Sequence, residues 1–432
     1  MRFAPKKSLG QNFLLNEEVS HWIADQIRPD EAGLVIEIGP GQGALTKYLE
    51  GRVEKLVLLE KDNILAADLT GRFKGRKDVE VWHGDATRYD LRPLFALGGV
   101  RVIGNLPYSM GQAILRRFLS PPTPVTEAVF MLQKEVCDRL AAKAGEEGYG
   151  ALSLLVQQHW NVDVLRIIPP DAFRPRPRVD SAVVRLKPRS PGSLPVFNGE
   201  VFDRLVRMGF AQRRKQLKNL LPESPVPWEQ LVTQFGKPVT LRAEELTLEE
   251  WVQLTRLYEG RTEVDRGQSG DEIFDVVDEN NRVIGQERRD DVHAKNLRHR
   301  AAHIFVFNRH GELWLQRRSH LKDKHPLEWD SSAAGHLDAG ETYAVAVDRE
   351  LREELGIAAP TECVATIPAC EQTGWEFVEL HVAKHDGPMH YAPEEISGGL
   401  FFRPEHIEAW TAARPEDFAP GFLACYEKWR LG

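Results

Sequence analysis

The sequence is short of the features that would mark it as secreted or tie it to a membrane. Only four of its 432 residues are cysteines. Cys137, Cys363, Cys370 and Cys425 form neither a paired metal spacing nor a disulfide framework, which points to a reducing, cytoplasmic setting. No apolar run approaches the roughly 20 residues a bilayer span needs, so no membrane association is expected. The opening stretch "MRFAPKKSLGQNFLLN" has basic residues but no apolar centre and no small-residue cleavage site, and does not read as a secretory signal. Internal repeats and low-complexity tracts are lacking as well, which excludes solenoid and disordered architectures.

What is present is the balance of a globular protein, 42% hydrophobic and 28% charged, in a chain long enough for two or three cores. Charge divides unevenly along it. Residues 1–260 carry 36 basic and 32 acidic side chains, a net of +4, and the remainder carries 20 and 32, a net of −12, which together give the overall −8. A first part facing nucleic acid and a second part with a different task would produce that asymmetry.

From Leu34 onward, short apolar runs ("LVIEI", "KLVLLE", "VEVWH", "VRVIGN") alternate with helical spacing. This predicts an α/β unit with a parallel sheet and helices on both faces. Further strands are expected at "EAVFMLQ" and "DSAVVRLKP". After about Arg189 the spacing turns helical, with Phe202, Leu205, Val206, Phe210 and Leu217 as one face. The polar, glycine-containing "GRTEVDRGQSGDE" reads as a linker. The expected domains are therefore 1–188, a helical subdomain at 189–260, a linker at 261–270 and a third unit at 271–432.

Between the first strand and its helix, "EIGPGQG" places Gly39, Gly41 and Gly43 where backbone amides can approach a ligand. Glu60 ends the next strand, suited to accepting both hydroxyls of a ribose, and Asp85 and Asn105 end the following two. The odd segment is Asn105-Leu106-Pro107-Tyr108. The Asn105 side-chain oxygen and the Leu106 carbonyl can accept both hydrogens of an exocyclic amine in a turn stiffened by Pro107. Tyr108 offers a face on which a base can stack. Such acceptance frees the amine's lone pair for attack on a methyl sulfonium, with positioning and electrostatics as the main catalytic resources.

With "KKSLGQNFLLN", "VIEIGPGQGALT", "LLEKD", "GDAT", "IGNLPY", "AFRPRPRVDSAVVRL" and "FAQRRKQLKNLL", the first 258 residues resemble the ribosomal RNA adenine dimethyltransferases. The resemblance implies a Rossmann-like fold dependent on S-adenosylmethionine, with that cofactor held by Asn12, Leu14, Gly39, Gly41, Glu60, Asp85 and Asn105. It implies catalysis at Asn105, Leu106, Pro107 and Tyr108, with Phe173 packing on a flipped base. The implied partner is small-subunit ribosomal RNA in a pre-ribosomal particle, dimethylated at two adjacent adenosines of its 3'-terminal hairpin. Arg174, Arg176 and Arg178, in an extended proline-separated stretch, are expected at phosphates. A helix over "AQRRKQLKNL" would put Arg214 and Lys218 on one face, with Arg213 and Lys215 nearby, for RNA backbone contact. A large-subunit ribosomal RNA methyltransferase is the alternative on the same cofactor motifs. A DNA adenine methyltransferase more often has proline where Leu106 stands.

The second chemical signal is "GHLDAGETYAVAVDRELREELGI". Glu350, Glu353 and Glu354 fall at i, i+3 and i+4, so three carboxylates share a helical face and call for cations. Magnesium suits such an all-oxygen set. Gly335, Glu341, Arg349 and Gly356 complete a spacing that resembles the Nudix hydrolases, an α/β/α fold. The resemblance implies magnesium on Glu350, Glu353 and Glu354, hydrolysis of a diphosphate-containing small molecule at Glu353 and Glu354, Arg349 orienting a carboxylate, and Glu341 as its outer partner. Flanking segments, "RHRAAHIFVFN" among them, are similar to the branch nearest the isopentenyl diphosphate isomerases. Those isomerases carry a cysteine where this chain has Ala334, so hydrolysis is expected rather than isomerisation. A Nudix half used only as a ligand-binding module is the alternative. His293, His299 and His336 are further metal-donor candidates.

Overall fold

The computed structural model describes residues 12–108, 110–261 and 270–431. Most of the expected linker, and the start of "KKSLGQNFLLN", lie outside them. The chain forms two compact units, Met1–Thr262 and Glu263–Gly432.

The first unit runs β1 (Phe13–Leu14), α1 (Glu17–Gln26), β2 (Leu34–Ile38), α2 (Thr46–Leu49), β3 (Lys55–Glu60), α3 (Asn63–Arg72), β4 (Val79–His83), β5 (Val100–Asn105), α4 (Gly111–Leu119) and β6 (Val125–Gln133). It continues through α5 (Lys134–Ala141), α6 (Ala151–Gln157), β7 (Trp160–Ile168), β8 (Phe173–Arg174) and β9 (Ser181–Pro188). Seven strands form one sheet in the order β4-β3-β2-β5-β6-β9-β7. Strands β4, β3, β2, β5 and β6 are mutually parallel, and the apolar runs of β2, β3, β5 and β6 suit strands covered on both faces, whereas β4 forms the more exposed edge. The expectation of a parallel sheet needs one correction: β9 runs antiparallel to β6 and β7. Alternate residues of β2 and β5 pack into cores on opposite faces, Ile36 and Val102 on one and Val35 and Ile103 on the other. All four have 0% exposure, each contributing about 1.5–3 kcal/mol by burial.

The appended helices are α7 (Gly199–Gly209), α8 (Trp228–Gln234) and α9 (Leu248–Tyr258). Phe202, Leu205, Val206 and Leu217 are fully buried in their shared core, and Phe210 packs partly buried against it. The helix expected over Ala211–Leu220 does not form. The chain leaves α7 at Gly209 and turns, and only Leu217–Asn219 makes a single 3-10 turn. Leu217 is the reason: its side chain is buried and its N–H donates to the Leu241 carbonyl at 2.8 Å, a geometry that a continuing helix would break. Arg213, Arg214, Lys215 and Lys218 are exposed on this loop rather than along a helical face, and Arg213 pairs with Glu244 at 2.9 Å.

The second unit contains the hairpin β10 (Ile273–Val277) and β11 (Val283–Arg288), followed by α10 (Arg289–Ala294). Its main sheet is built from β12 (His299–Phe307), β13 (Leu313–Arg318), β14 (Trp329–Asp330), β15 (Ala333–His336), β16 (Thr361–Ile367), β17 (Glu376–Lys384) and β18 (Ile396–Phe402). Helix α11 (Tyr343–Leu355) lies between β15 and β16 in sequence, and α12 (Pro404–Ala413) and α13 (Pro420–Leu431) close the chain. The sheet is mixed: β12 pairs parallel with β17 and antiparallel with β13 and β15. Ala302, Ile304 and Val306 of β12 pack with Val347 and Leu351 of α11, whereas Phe305 faces Phe422 of α13 at 5.8 Å between ring centroids. The sheet thus lies between helical layers.

Trp251 anchors the helical subdomain. It is fully buried, its indole N–H donates to the Ala243 carbonyl at 3.3 Å, and a side chain at Gly209 would meet its ring at 2.6 Å. Trp251→Ala is expected to destabilise the first unit by about 3–5 kcal/mol, read as a lower urea midpoint for that unit in the full chain.

Candidate functional sites

The carboxyl ends of β2, β3 and β5 open on one cleft. It is lined by Asn12, Leu14, Gly39, Gly41, Glu60, Asp85 and the segment Asn105–Tyr108, which meet here from across nearly 100 residues of chain. The glycine turn is built as its sequence demands, with Gly39 at φ +67° and Gly41 at φ +58°, where a side chain would be strained. A Cβ on Gly41 would also lie 3.1 Å from the Phe13 ring.

Glu60, only 5% exposed, holds that turn. One carboxylate oxygen accepts the Gly41 N–H at 3.0 Å and the other accepts the Asp62 N–H at 2.8 Å. Asp62 in turn caps α3, accepting from Ile64 and Leu65. Burial raises the pKa of Glu60, and the two amide hydrogen bonds oppose the shift. Each oxygen keeps acceptor capacity, so the expected ribose acceptor is also a backbone clamp. Asp85 is held by Lys61 at 2.8 Å and by the N–H and hydroxyl of Thr87 at 3.0 and 2.7 Å. Lys61 foremost brings its pKa down to about 2.

Asn105 donates its side-chain N–H to the Asn12 carbonyl at 3.0 Å, which leaves the amide oxygen to accept. The Leu106 N–H is fixed on the Met131 carbonyl at 3.0 Å, and the Pro107 carbonyl accepts from Met110 and Gly111 as the chain enters α4. The Tyr108 hydroxyl meets the Ser181 hydroxyl at 2.8 Å. Phe173 departs from expectation. It is 5% exposed, does not line the cleft, and packs in the core beside Leu14, its register partner in the β1–β8 pair, although Leu14 itself also reaches the cleft. Arg174, Arg176 and Arg178 beside it are exposed.

Two cleft residues carry features that motif reading passed over. Lys61 is the cation paired with Asp85. Glu37, whose carboxylate interrupts an otherwise apolar strand and could have been noticed for that, is 1% exposed and accepts the Thr46 hydroxyl at 2.7 Å.

In the second unit α11 presents its carboxylates to another cleft, lined also by His293, His336, Lys322 and Lys324. Glu350 and Glu354 are buried, whereas the Glu353 side chain is 63% exposed. Burial raises the pKa of both buried residues, and for Glu350 the nearby Glu354 charge adds to the shift. A cation would remove the cost of holding both ionised, so the donor set fits a divalent ion. Arg349 organises the group. It makes a two-pronged contact with Glu341 at 3.0 Å on each side and reaches Glu350 at 2.7 Å, Glu353 at 3.3 Å and the His336 carbonyl at 3.0 Å. Gly335 is glycine for a local reason: a Cβ there would fall 1.8 Å from a Glu350 oxygen. Glu354 accepts from the Ala334 N–H and the Gln316 side chain at 3.1 and 3.2 Å.

His293, His299 and His336 converge, with ring centroids 5.1 Å apart pairwise and candidate donor atoms within 4.8 Å of one another. Glu376 stands between two of them, 3.0 Å from His336 and 3.5 Å from His299. This nitrogen-rich set could hold a transition-type divalent ion. The three histidines, expected from the sequence as donor candidates, come from α10, β12 and β15; Glu376, which joins them from β17, is the member that sequence reading missed.

Strand-end acceptors beside a glycine turn, on this strand order, define a Rossmann-like methyltransferase; the carboxylate helix on a mixed sheet between helices defines a Nudix fold. Comparison with known proteins narrows the first class. The chain belongs to the ribosomal RNA adenine dimethylase family, whose family model matches residues 2–257, and a NUDIX domain model matches residues 297–423. The chain is 38% identical to a ribosomal RNA small subunit methyltransferase A of Leptothrix cholodnii, over 59% of this chain and 92% of that protein. It is 39% identical to the protein of the same name from Xanthomonas euvesicatoria, over 58% and 95%. Among solved structures, a dimethyladenosine transferase from Plasmodium falciparum aligns over 58% of this chain and 98% of its own, at 22% identity and a TM-score of 0.46.

Burial foremost, with the Glu60 charge adding, pushes the Glu37 pKa up to about 8 from an ordinary 4.5. Between those values the folded chain holds a proton that the unfolded chain has released, so this group's contribution to stability falls as pH rises through the window. Glu37→Gln is expected to lessen that decline, seen by comparing urea midpoints at about pH 6 and about pH 9.

Proposed function

We propose that the first unit dimethylates the exocyclic amines of two adjacent adenosines in the 3'-terminal hairpin of small-subunit ribosomal RNA, within a pre-ribosomal particle. The observation that carries this reading is the sharing of one cleft by Asn105–Tyr108, Glu60 and Asp85. S-adenosylmethionine, when bound, supplies an electrophilic methyl on a sulfonium. Gly39, Gly41, Glu60 and Asp85, with Asn12 and Leu14, bind it; the Asn105 oxygen and the Leu106 carbonyl accept the two amine hydrogens and orient the lone pair. The hydrogen bond from Asn105 to Asn12 supports this, because it fixes which end of the amide accepts. Tyr108, held at Ser181, is placed to stack on the base. Phe173 would have to leave its core position to join it. Arg174, Arg176, Arg178 and the basic loop Arg213–Lys218 meet RNA phosphates. The names of the relatives favour the small-subunit substrate over the large-subunit one.

Asn105→Ala should lower transfer of labelled methyl to undermethylated small subunits by about 10²–10³-fold, while calorimetry still registers S-adenosylmethionine. Undiminished transfer would refute the role, and label entering large-subunit RNA instead would refute the substrate.

The second unit, in the same reading, hydrolyses a diphosphate-containing small molecule with magnesium on Glu350, Glu353 and Glu354. Magnesium, when bound there, activates water and shields the diphosphate. Arg349 keeps Glu350 and Glu353 aimed at one position, and Lys322 and Lys324 offer positive charge to the phosphates. The buried carboxylates on one helix face support this over a purely binding role. In the full chain, Glu354→Gln should abolish release of phosphate or nucleoside monophosphate across a panel of nucleoside and non-nucleoside diphosphates and leave methyl transfer intact. Continued release would remove Glu354 from the site.

A further inference from the structure

Away from both clefts, three chemically distinct donors meet on the outer strands of the second unit's sheet. Cys363 on β16 lies directly opposite His381 on β17, and Glu379 lies two residues from His381 on the same face. Their candidate donor atoms all fall within 4.8 Å of one another. The register slips by one residue between Cys363 and Ala365, and such bulges re-aim side chains at functional sites.

The histidine is held in a way that ordinary packing leaves unexplained. His381 is 7% exposed, yet its Nδ1 has no hydrogen-bond partner among the described residues. Its other ring nitrogen lies 3.0 Å from the Glu379 carboxylate. Cys363 is exposed, forms no disulfide, makes a long 3.7 Å contact to the Ala365 carbonyl and is hydrogen-bonded with the Glu379 side chain. The cluster lies near the start of α11. Tyr343, the first residue of that helix, donates its hydroxyl to the Phe377 carbonyl at 2.7 Å. Burial foremost, with the Glu379 and Cys363 charges adding, pushes that hydroxyl up to about 12.

We propose that Cys363, Glu379 and His381 form a binding site for a thiophilic divalent cation of the zinc type, separate from the carboxylates of α11. One sulfur, one imidazole nitrogen and one carboxylate oxygen match the mixed preference of zinc, and magnesium has little affinity for the sulfur. In a tetrahedral zinc site neighbouring donors stand about 3.5 Å apart, so the present spacing closes with a small rotation of the exposed cysteine. Binding displaces the thiol proton to solvent, and solvent supplies the fourth ligand. The ion would fasten the edge strand β16 to β17, next to the first turn of α11.

Cobalt(II) reports this site on the full chain, because a thiolate ligand gives a charge-transfer band in the near ultraviolet that nitrogen and oxygen ligands do not. The histidine cluster around Glu376 offers no sulfur, so cobalt bound there leaves that region of the spectrum dark. Cobalt titrated until binding saturates is expected to produce the band, zinc to remove it by displacement, and Cys363→Ser, a change at an exposed position, to abolish it. Absence of the band once cobalt has been titrated to saturation of every site, or its persistence in Cys363→Ser, overturns the assignment.

Discussion

The first cleft depends on a single carboxylate. Glu60 binds the glycine turn through Gly41 and the start of α3 through Asp62, so the loops after β2 and β3 are fixed to one side chain. Holding a carboxylate out of water is costly unless hydrogen bonds replace the lost hydration, and these two amides do so. The remaining acceptor capacity then faces the cleft in a defined direction. Asn105 is fixed in the same manner from the other side, through the Asn12 carbonyl. A ligand therefore meets acceptors that are already oriented, which lowers the entropy lost on binding.

Much of this was legible in the sequence, for identifiable reasons. Strand ends could be located because β2, β3 and β5 are apolar runs stopped by glycine or by a polar residue. A parallel sheet gathers such ends on one side. The carboxylates of α11 were legible because helical spacing alone puts i, i+3 and i+4 together. What stayed hidden was non-local. The antiparallel β9 looks like any other apolar run, and nothing in Ala211–Leu220 announces that Leu217 will turn into a core and break the helix. Phe173 illustrates the same limit, since its direction is set by pairing with a strand about 160 residues earlier. The sequence offers the three histidines as donor candidates, but Glu376, on a fourth element, lies outside any window that contains them.

The two units solve a similar electrostatic problem by different means. Each sets carboxylates at a ligand cleft, where isolated charges would repel and lose hydration. In the first, backbone amides and Lys61 offset the charge, which suits a site for an organic cofactor. In the second, Arg349 and Lys322 offset part of it, and the remainder suits metal. The charge asymmetry of the chain follows the same division, the basic loops belonging to the unit whose relatives are named for ribosomal RNA and the acidic excess to the other.

Arg349 also constrains what can stand in its place. Its guanidinium spans Glu341 in the loop, Glu350 and Glu353 on the helix, and the backbone of His336 on β15, so one planar fork locks three segments in register. Lysine would keep the positive charge but, as a single point on a flexible stem, could satisfy only part of that set. At this position shape matters as much as charge: the guanidinium acts as a gauge block that sets how far the loop stands from the helix.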